Sequence, residues 1–525
     1  MAKKSKVVTS AIVSASLVAG MGMAAYAVPE KPSGDGGSAP SSSQSGGSSQ
    51  GGNMVAPGGS SSASVSYSGA TTFSADTTAS DATYNSSTGG QNALLVSDGT
   101  VNLNKITVTK SGDEGSENSD FYGTNAGILA YENGKVIISD ATISTGGAHA
   151  NAVFAYGSGA IEISNSTINT TGNNSGGVMV TGGGTLKATD LTVETAGNSS
   201  AAIRSDRGGG TMTIVNGEYK TNGVGSPAIY STADVNVKGA KLEATVSEGV
   251  VIEGANSVAL EETTVESTNT QLNGKSETYK NIFIYQSMSG DADEGVGTFA
   301  AKDSTLTSNK GEQFFVTNTS AVINLENNTY NNSDSESLFL LAQASAWGTS
   351  GQNGGQVSLN LANDEVKGDM QFDNISSLTL NLDKGSYLKG KMAGGSSKEV
   401  RLTDKESVWV LDDDVTLTFL EDADTTFQNI YSNGHTLTVN GEVVNVNTGT
   451  PPEHKVGATT TSAIATVEVI DIPKTDEEKM WEMVIVCLLG AGFIAVVVTF
   501  IVMIATYNKP SKKVRAIQDT DNMVK

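Results

Sequence analysis

The chain has 525 residues, with 56 acidic and 32 basic side chains and a formal charge of −24. That imbalance leaves no basic face for phosphates and argues against nucleic acid as a partner. One cysteine and three histidines rule out a disulfide framework and cysteine-rich zinc sites, and leave little for histidine-based catalysis.

Residues 1–27 read as a secretory signal peptide. Lys3, Lys4 and Lys6 open it, an apolar run follows from Val7, and Ala25-Tyr26-Ala27 gives a small–x–small pattern that places cleavage between Ala27 and Val28. Residues 28–63 are rich in serine, glycine and proline. They cannot bury enough apolar surface to offset their ordering entropy, and are expected to form a disordered leader.

Residues 64–448 are expected to fold, with 64–92 as the N-terminal cap. Here the chain repeats itself with a period of about 25 residues. Val136-Ile137-Ile138-Ser139-Asp140-Ala141-Thr142-Ile143 matches Ile161-Glu162-Ile163-Ser164-Asn165-Ser166-Thr167-Ile168, and Leu186–Val193 repeats the pattern. Alternating apolar residues place one face of a strand inward. A polar corner follows, occupied by Asp140, Asn165, Asp190, Asn216, Gly239, Glu262, Asp303 and Asn327 in successive copies. Apart from Glu262, these are residues that tolerate left-handed backbone, so the copies are expected to stack into a corner ladder.

One series of strands is expected to align at Ala130, Ala155, Val180, Arg204, Tyr230 and Ile252. A second runs through Ile143, Ile168, Val193, Tyr219, Leu242, Val265, Leu306, Tyr330 and Val366. Near the C-terminal end the step shortens to about 21 residues, Leu382–Tyr387 recurring as Thr403–Val408. No helical periodicity appears between Ser64 and Asn447, which disfavours helical solenoids.

Coils of this length with irregular insertions resemble the right-handed parallel β-helix family, which includes pectin-degrading enzymes and bacterial adhesin passengers. The resemblance implies an all-β solenoid whose insertions, at Ser111–Asn125, Thr270–Val296 and Ala344–Gln356, would carry any binding loops.

Residues 449–480 read as an extracellular linker. Residues 481–507 hold an apolar run from Met483 to Tyr507, uncharged for about 25 residues and long enough to cross a bilayer as one transmembrane helix. Acidic residues precede it, and Lys509, Lys512, Lys513 and Arg515 follow in the tail 508–525, which places the tail in the cytoplasm and the repeats outside. Ile472-Pro473-Lys474-Thr475-Asp476 resembles the sortase sorting signal of Gram-positive surface proteins, although Asp476 replaces the glycine after the threonine that sortase would attack. The localisation expected is a single-pass cell membrane protein, or the cell wall if that signal is processed.

Chemistry-bearing motifs are sparse, and no catalytic residue and no cofactor is assigned. Asp412-Asp413-Asp414 reads as a solvated turn opening a strand. Arg204, Asp206 and Arg207 read as an exposed turn with a weak ion pair. Gly434-His435 lacks the second glycine of the polygalacturonase-like motif, and His149, His435 and His454 read as surface or capping residues. Asp291, Asp293 and Glu294, or Asp113, Glu114 and Glu117, offer the hard oxygens that a weak structural calcium would take. Tyr131 and Tyr156 are expected to stack on each other. Phe283 is expected in the core beside Leu129, Phe154, Met179 and Ile203. Tyr279 and Tyr285 are the candidate ligand-facing aromatics, as an outward sugar-stacking platform.

The function expected is a membrane-anchored bacterial surface rod, an adhesin or display protein contacting glycans, matrix or host and neighbour-cell proteins, and not an enzyme. Two rivals stand beside it: a surface-anchored polysaccharide lyase or hydrolase, and a passive structural stalk of the cell envelope.

Overall fold

The computed structural model describes residues 65–455. The signal peptide with Ala27 and Val28, the leader, the sorting-like Ile472–Asp476 and the apolar run Met483–Tyr507 lie outside the described residues. Among the described residues no helix is long and apolar enough to cross a membrane.

The fold is all-β and parallel. Strands from successive repeats stack into three long sheets of 13, 14 and 10 strands, followed by a four-stranded and a three-stranded sheet. One repeat shows how the sequence builds a coil. Val153–Tyr156 lies in the first sheet, Ala160–Ser164 in the second and Thr167–Thr170 in the third. Each pairs with the matching strand of the coils before and after, so Ile161 sits between Val136 and Leu186, and Ile168 between Ile143 and Val193. These inward aliphatic columns merge into one continuous core, each side chain contributing about 1.5–3 kcal/mol by burial. This is the stacked-coil arrangement of a parallel β-helix.

The corner ladder forms as expected. Asp140, Asn165, Asp190, Asn216, Glu262, Asp303 and Asn327 hold φ between 47° and 56°, and Gly239 holds 68°. Asn216 donates to Asp190 at 3.0 Å and Asn327 to Asp303 at 2.6 Å, so the corner side chains also bond along the stack. The second strand series is paired as read through Tyr330. Val366 breaks from it, because its strand Glu365–Lys367 starts the four-stranded sheet. Asp364 stands at this junction, its buried carboxyl accepting from the Asn328 amide N–H, Asn328 Nδ2 and the Tyr330 hydroxyl.

The first strand series needs a correction. Val180 is followed in register by Ser205 and Ser231, not by Arg204 and Tyr230, before the series rejoins at Ile252. A one-residue slip turns a strand side chain to the opposite face. Arg204 and Tyr230 therefore stand in the column of Leu129, Phe154 and Met179, on the outer side of the first sheet. Ile203 pairs with Val178 and points into the main core. Phe283 is buried, but in a separate outer cluster with Val251, Phe315 and Leu341.

Residues 64–92, expected as a cap, contribute a first coil of the same kind, Gly69–Phe73, Thr77–Ser80 and Thr83–Ser86, paired to the next coil. At the other end, residues 452–455 of the expected linker are fastened to the coils. Tyr387 donates to the Pro452 carbonyl at 3.0 Å, and Lys455 Nζ to the Asn363 carbonyl at 2.7 Å.

Candidate functional site

Four segments between strands concentrate at the edges of the first sheet. Residues 111–127 and 268–279 precede its strands, and residues 286–295 and 343–354 follow them. The expected insertion Thr270–Val296 is thus two segments, separated by the strand Lys280–Tyr285. The first segment contains α1 (Asn118–Tyr122), ended by Gly123 in the left-handed region. These segments explain why first-sheet strands such as Val178–Thr181 and Lys280–Tyr285 are buried at every position. Both of their faces are covered, which also hides the alternation that marks a strand in sequence.

Under the segments lie two apolar patches. Leu95, Ala126, Leu129, Phe154 and Met179 form one, with Tyr67, Tyr131 and Tyr156 at its edge. Tyr131 and Tyr156 do not stack on each other there. Tyr131 packs on Tyr67 at 4.2 Å, and Tyr156 meets Tyr122 of α1 edge-on at 5.4 Å. The second patch holds Val251, Phe283, Tyr285, Phe315 and Leu341, with Trp347 against both Phe283 and Tyr285.

Between the patches the same face turns polar and charged, while staying buried. Arg204, Asp120 and Asp206 are only 8%, 7% and 7% exposed. The exposed turn expected at Arg204–Arg207 is therefore a covered one, and Arg207 alone keeps much of its side chain in water. Arg204 Nη1 reaches Asp120 Oδ1 at 3.2 Å and the Asn174 carbonyl at 3.1 Å, and Nη2 reaches Asp206 at 3.4 Å. Asp120 Oδ2 meets His149 Nδ1 at 2.6 Å, and His149 Nε2 lies 3.2 Å from Asn174 Nδ2.

Arg207 donates from Nε to Asp291 at 2.6 Å and lies 3.8 Å above the Phe121 ring. Ser289 then links Asp291 to Glu253, which also accepts from Ser287, from Tyr230 at 2.5 Å and from Tyr285 at 2.9 Å.

Burial sets the proton affinities here. Desolvation pushes Asp206 up to about 7 against the pull of Arg204, and Asp291 adds to the rise. For Arg204, burial alone would weaken the charge, but the carboxylates of Asp120 and Asp206 outweigh it and raise the guanidinium further. Tyr230 and Tyr285 are raised well above the usual phenol value, first by burial.

Tyr285, expected to face outward, is 9% exposed and spends its hydroxyl on Glu253. Tyr279 is half-buried with Lys310 Nζ 3.7 Å above its ring. The two do not present a shared open platform. Asp412–Asp414 does open a strand, Asp414 accepting the Thr436 N–H at 2.8 Å. Asp113 accepts the Ala148 N–H, and Glu114 those of Gly115 and Ser116. Among the described residues no group of three or more His, Cys, Asp and Glu side chains is arranged to hold a metal. His454 is exposed and meets Glu365 at 2.8 Å. A shallow depression of about 480 Å³ lies beside it, lined by Asn363, Asp383, Lys384, Asp404, Glu406 and Lys455 among others.

The charged cluster escaped the sequence reading for a definite reason. Arg204 follows Leu129, Phe154 and Met179 in the outward column, and holding that step unchanged for one more coil would have put an arginine at an apolar, covered position. Such a position demands a buried partner.

No family model, no curated protein and no solved structure matches this chain. The fold and the first-sheet face carry the functional argument alone.

Proposed function

We propose that the chain is a surface-displayed β-helix rod whose first-sheet face is its contact surface, an adhesin or display protein held at the membrane by Met483–Tyr507. Right-handed winding accords with the strong handedness rule for parallel strands joined by crossovers within one sheet. The observation that carries the reading is the concentration of insertions on one face. The third sheet instead turns a column of threonines outward, Thr107, Thr142, Thr167 and Thr192. A rigid stack of coils bearing loops on one side is a scaffold for recognition. The polar loop tips, with Glu117, Asn118, Asp293 and Glu294 exposed and Met288 exposed in the segment 286–295, suit a hydrated partner such as a glycan. The role itself rests on analogy between folds.

The test is binding of the full chain to glycan and matrix-protein arrays, with a reducing-end assay on every polysaccharide bound. Binding without product, lost on replacing Glu117 and Asn118 or Met288 by alanine, is the expected outcome. Release of reducing ends would overturn it in favour of a polysaccharide lyase or hydrolase, for which the Asp206 carboxyl titrating near neutrality is the favouring observation. No binding to either array would leave the passive stalk.

A further inference from the structure

The Arg204–Arg207 turn joins two insertions that are far apart in sequence. On one side Asp120, in α1, is held by Arg204 and by His149, and the Phe121 carbonyl accepts from the Thr181 hydroxyl at 2.6 Å. On the other side Asp291, in the segment 286–295, is held by Arg207, whose guanidinium also lies on the Phe121 ring. One turn therefore grips both segments. We propose that this turn is a proton-responsive clasp that fastens residues 114–125 and 286–295 to the first sheet together, tightly in mildly acidic solution and more loosely as the pH rises to neutrality.

The charge balance of the cluster gives the direction. The groups facing Asp206 are Arg204 and Arg207 from its own strand and turn, Asp120 and His149 from α1 and the next coil, Tyr230, Glu253 and Tyr285 from later coils, and Asp291 from the second insertion. Three carboxylates, Asp120, Asp206 and Asp291, thus share two guanidiniums in a mostly covered site, and a fourth, Glu253, is held beside them by hydroxyls alone. Full ionisation leaves uncompensated negative charge there, which burial makes costly. Asp206 takes up the relieving proton at about 7 when covered, against 3.8 for a free aspartate. The covered state binds more protons than the open one, so the stability of the clasp is full below the free aspartate value and is lost as pH rises to about 7. The inference concerns the fastening alone and holds whatever ligand the face takes.

Hydrogen–deuterium exchange of the full chain from pH 5 to 8, corrected for the intrinsic pH dependence of exchange, tests it. Peptides covering 114–125 and 286–295 should open together. Opening should rise by up to about tenfold per pH unit to pH 7 and then level off, while a core peptide such as 160–170 stays protected. Asp206→Asn, which mimics the protonated carboxyl, should keep both segments protected and abolish the pH dependence. Arg207→Gln should free 286–295 more than 114–125 at every pH. The clasp is refuted by a flat profile in the native chain, by segments that respond separately, or by D206N with the native profile. Should D206N fail to fold, judged by its circular dichroism, the native profile and R207Q decide the matter.

Discussion

The coils between Lys135 and Ser267 and those after Gly355 use the same devices on different schedules. In the first region a column of buried serines closes successive turns from the third sheet back to the first, beginning one coil after Ala150. The Ser175 N–H donates to Ser200 Oγ, and the Ser200 N–H to Ser226 Oγ, one coil further on. Thr170, Thr195 and Thr221 donate to the carbonyls of Ser175, Ser200 and Ser226, locking strand to turn. In the later region the serine column stands at the other corner, where the Asp364 N–H donates to Ser386 Oγ and the Ser386 N–H to Ser407 Oγ. There Asn381 bonds Asn360 across a step of 21 residues and Thr418 bonds Lys398 across 20, against 25 in the first region. The coil shortens where the third-to-first turn loses its own ladder, and the third sheet gives way to the four-stranded one.

The largest expected effect contrasts two buried lysines. Lys280 is fully covered and meets Glu248 at 2.9 Å, whereas Lys398 in the late coils is held only by the carbonyls of Met392 and Gly394. Burial alone would raise Glu248, but the Lys280 ammonium outweighs it and holds the carboxyl below its usual value. Glu248→Gln strands a buried charge and should cost about 3–5 kcal/mol in urea unfolding. Lys398→Met should be near neutral, since burial already lowers the affinity of Lys398 for its proton. Equal losses would show that Glu248 is not what holds the early region.

Next comes the glycine beside the serine ladder. A Cβ on Gly197 would lie 1.9 Å from the Gly172 carbonyl oxygen, while one on Gly115 would meet nothing within 4 Å. Gly197→Ala should therefore cost about 3 kcal/mol and Gly115→Ala almost nothing, measured by the same titration. A tolerated G197A would mean that the early coils can part at this turn.

Asp364, at the junction of the two regions, sharpens the comparison through pH. Burial pushes its carboxyl from 3.8 up to about 6, so the folded chain holds a proton there that the unfolded chain releases. That contribution is full below the unfolded value and is lost as pH rises through 6, amounting to roughly 3 kcal/mol at most. Asp364→Asn should flatten that part of the pH dependence of the melting temperature, and an unchanged slope would assign it elsewhere.

The smallest effect is at the corners. Lys384 holds φ of 54° in the late region, where the early corners carry Asp or Asn apart from Gly239 and Glu262. Lys384→Gly should stabilise by about 0.5–1 kcal/mol, and the same change at Asn216 by less, as thermal midpoints would show. The reverse order would mean that side-chain bonds, not backbone strain, rank the corners.

Much of the coil was legible because its signals are local. Ile161 and Ile163 alternate with polar residues, Asn165 turns the corner, and Ile168 points back inward, all within eight residues. The first sheet was harder to place. Its strands are apolar on both sides, so a slip by one residue leaves the pattern looking intact, and Arg204 and Tyr230 were read on the wrong face. Tyr285 was read as outward for a related reason, since the segment that covers it lies elsewhere in the chain.

The sequence by itself determined the all-β repeat, its period, the identity of the corner residues and the shortening of the final coils, because each depends on neighbours within one repeat. Only the tertiary structure decided which side of the first sheet is buried twice, that Arg204 meets Asp120, and that Arg207 meets Asp291. Those contacts join residues 84 positions apart. They exist because stacking brings separate insertions onto one face, where covering a charge makes its partner obligatory.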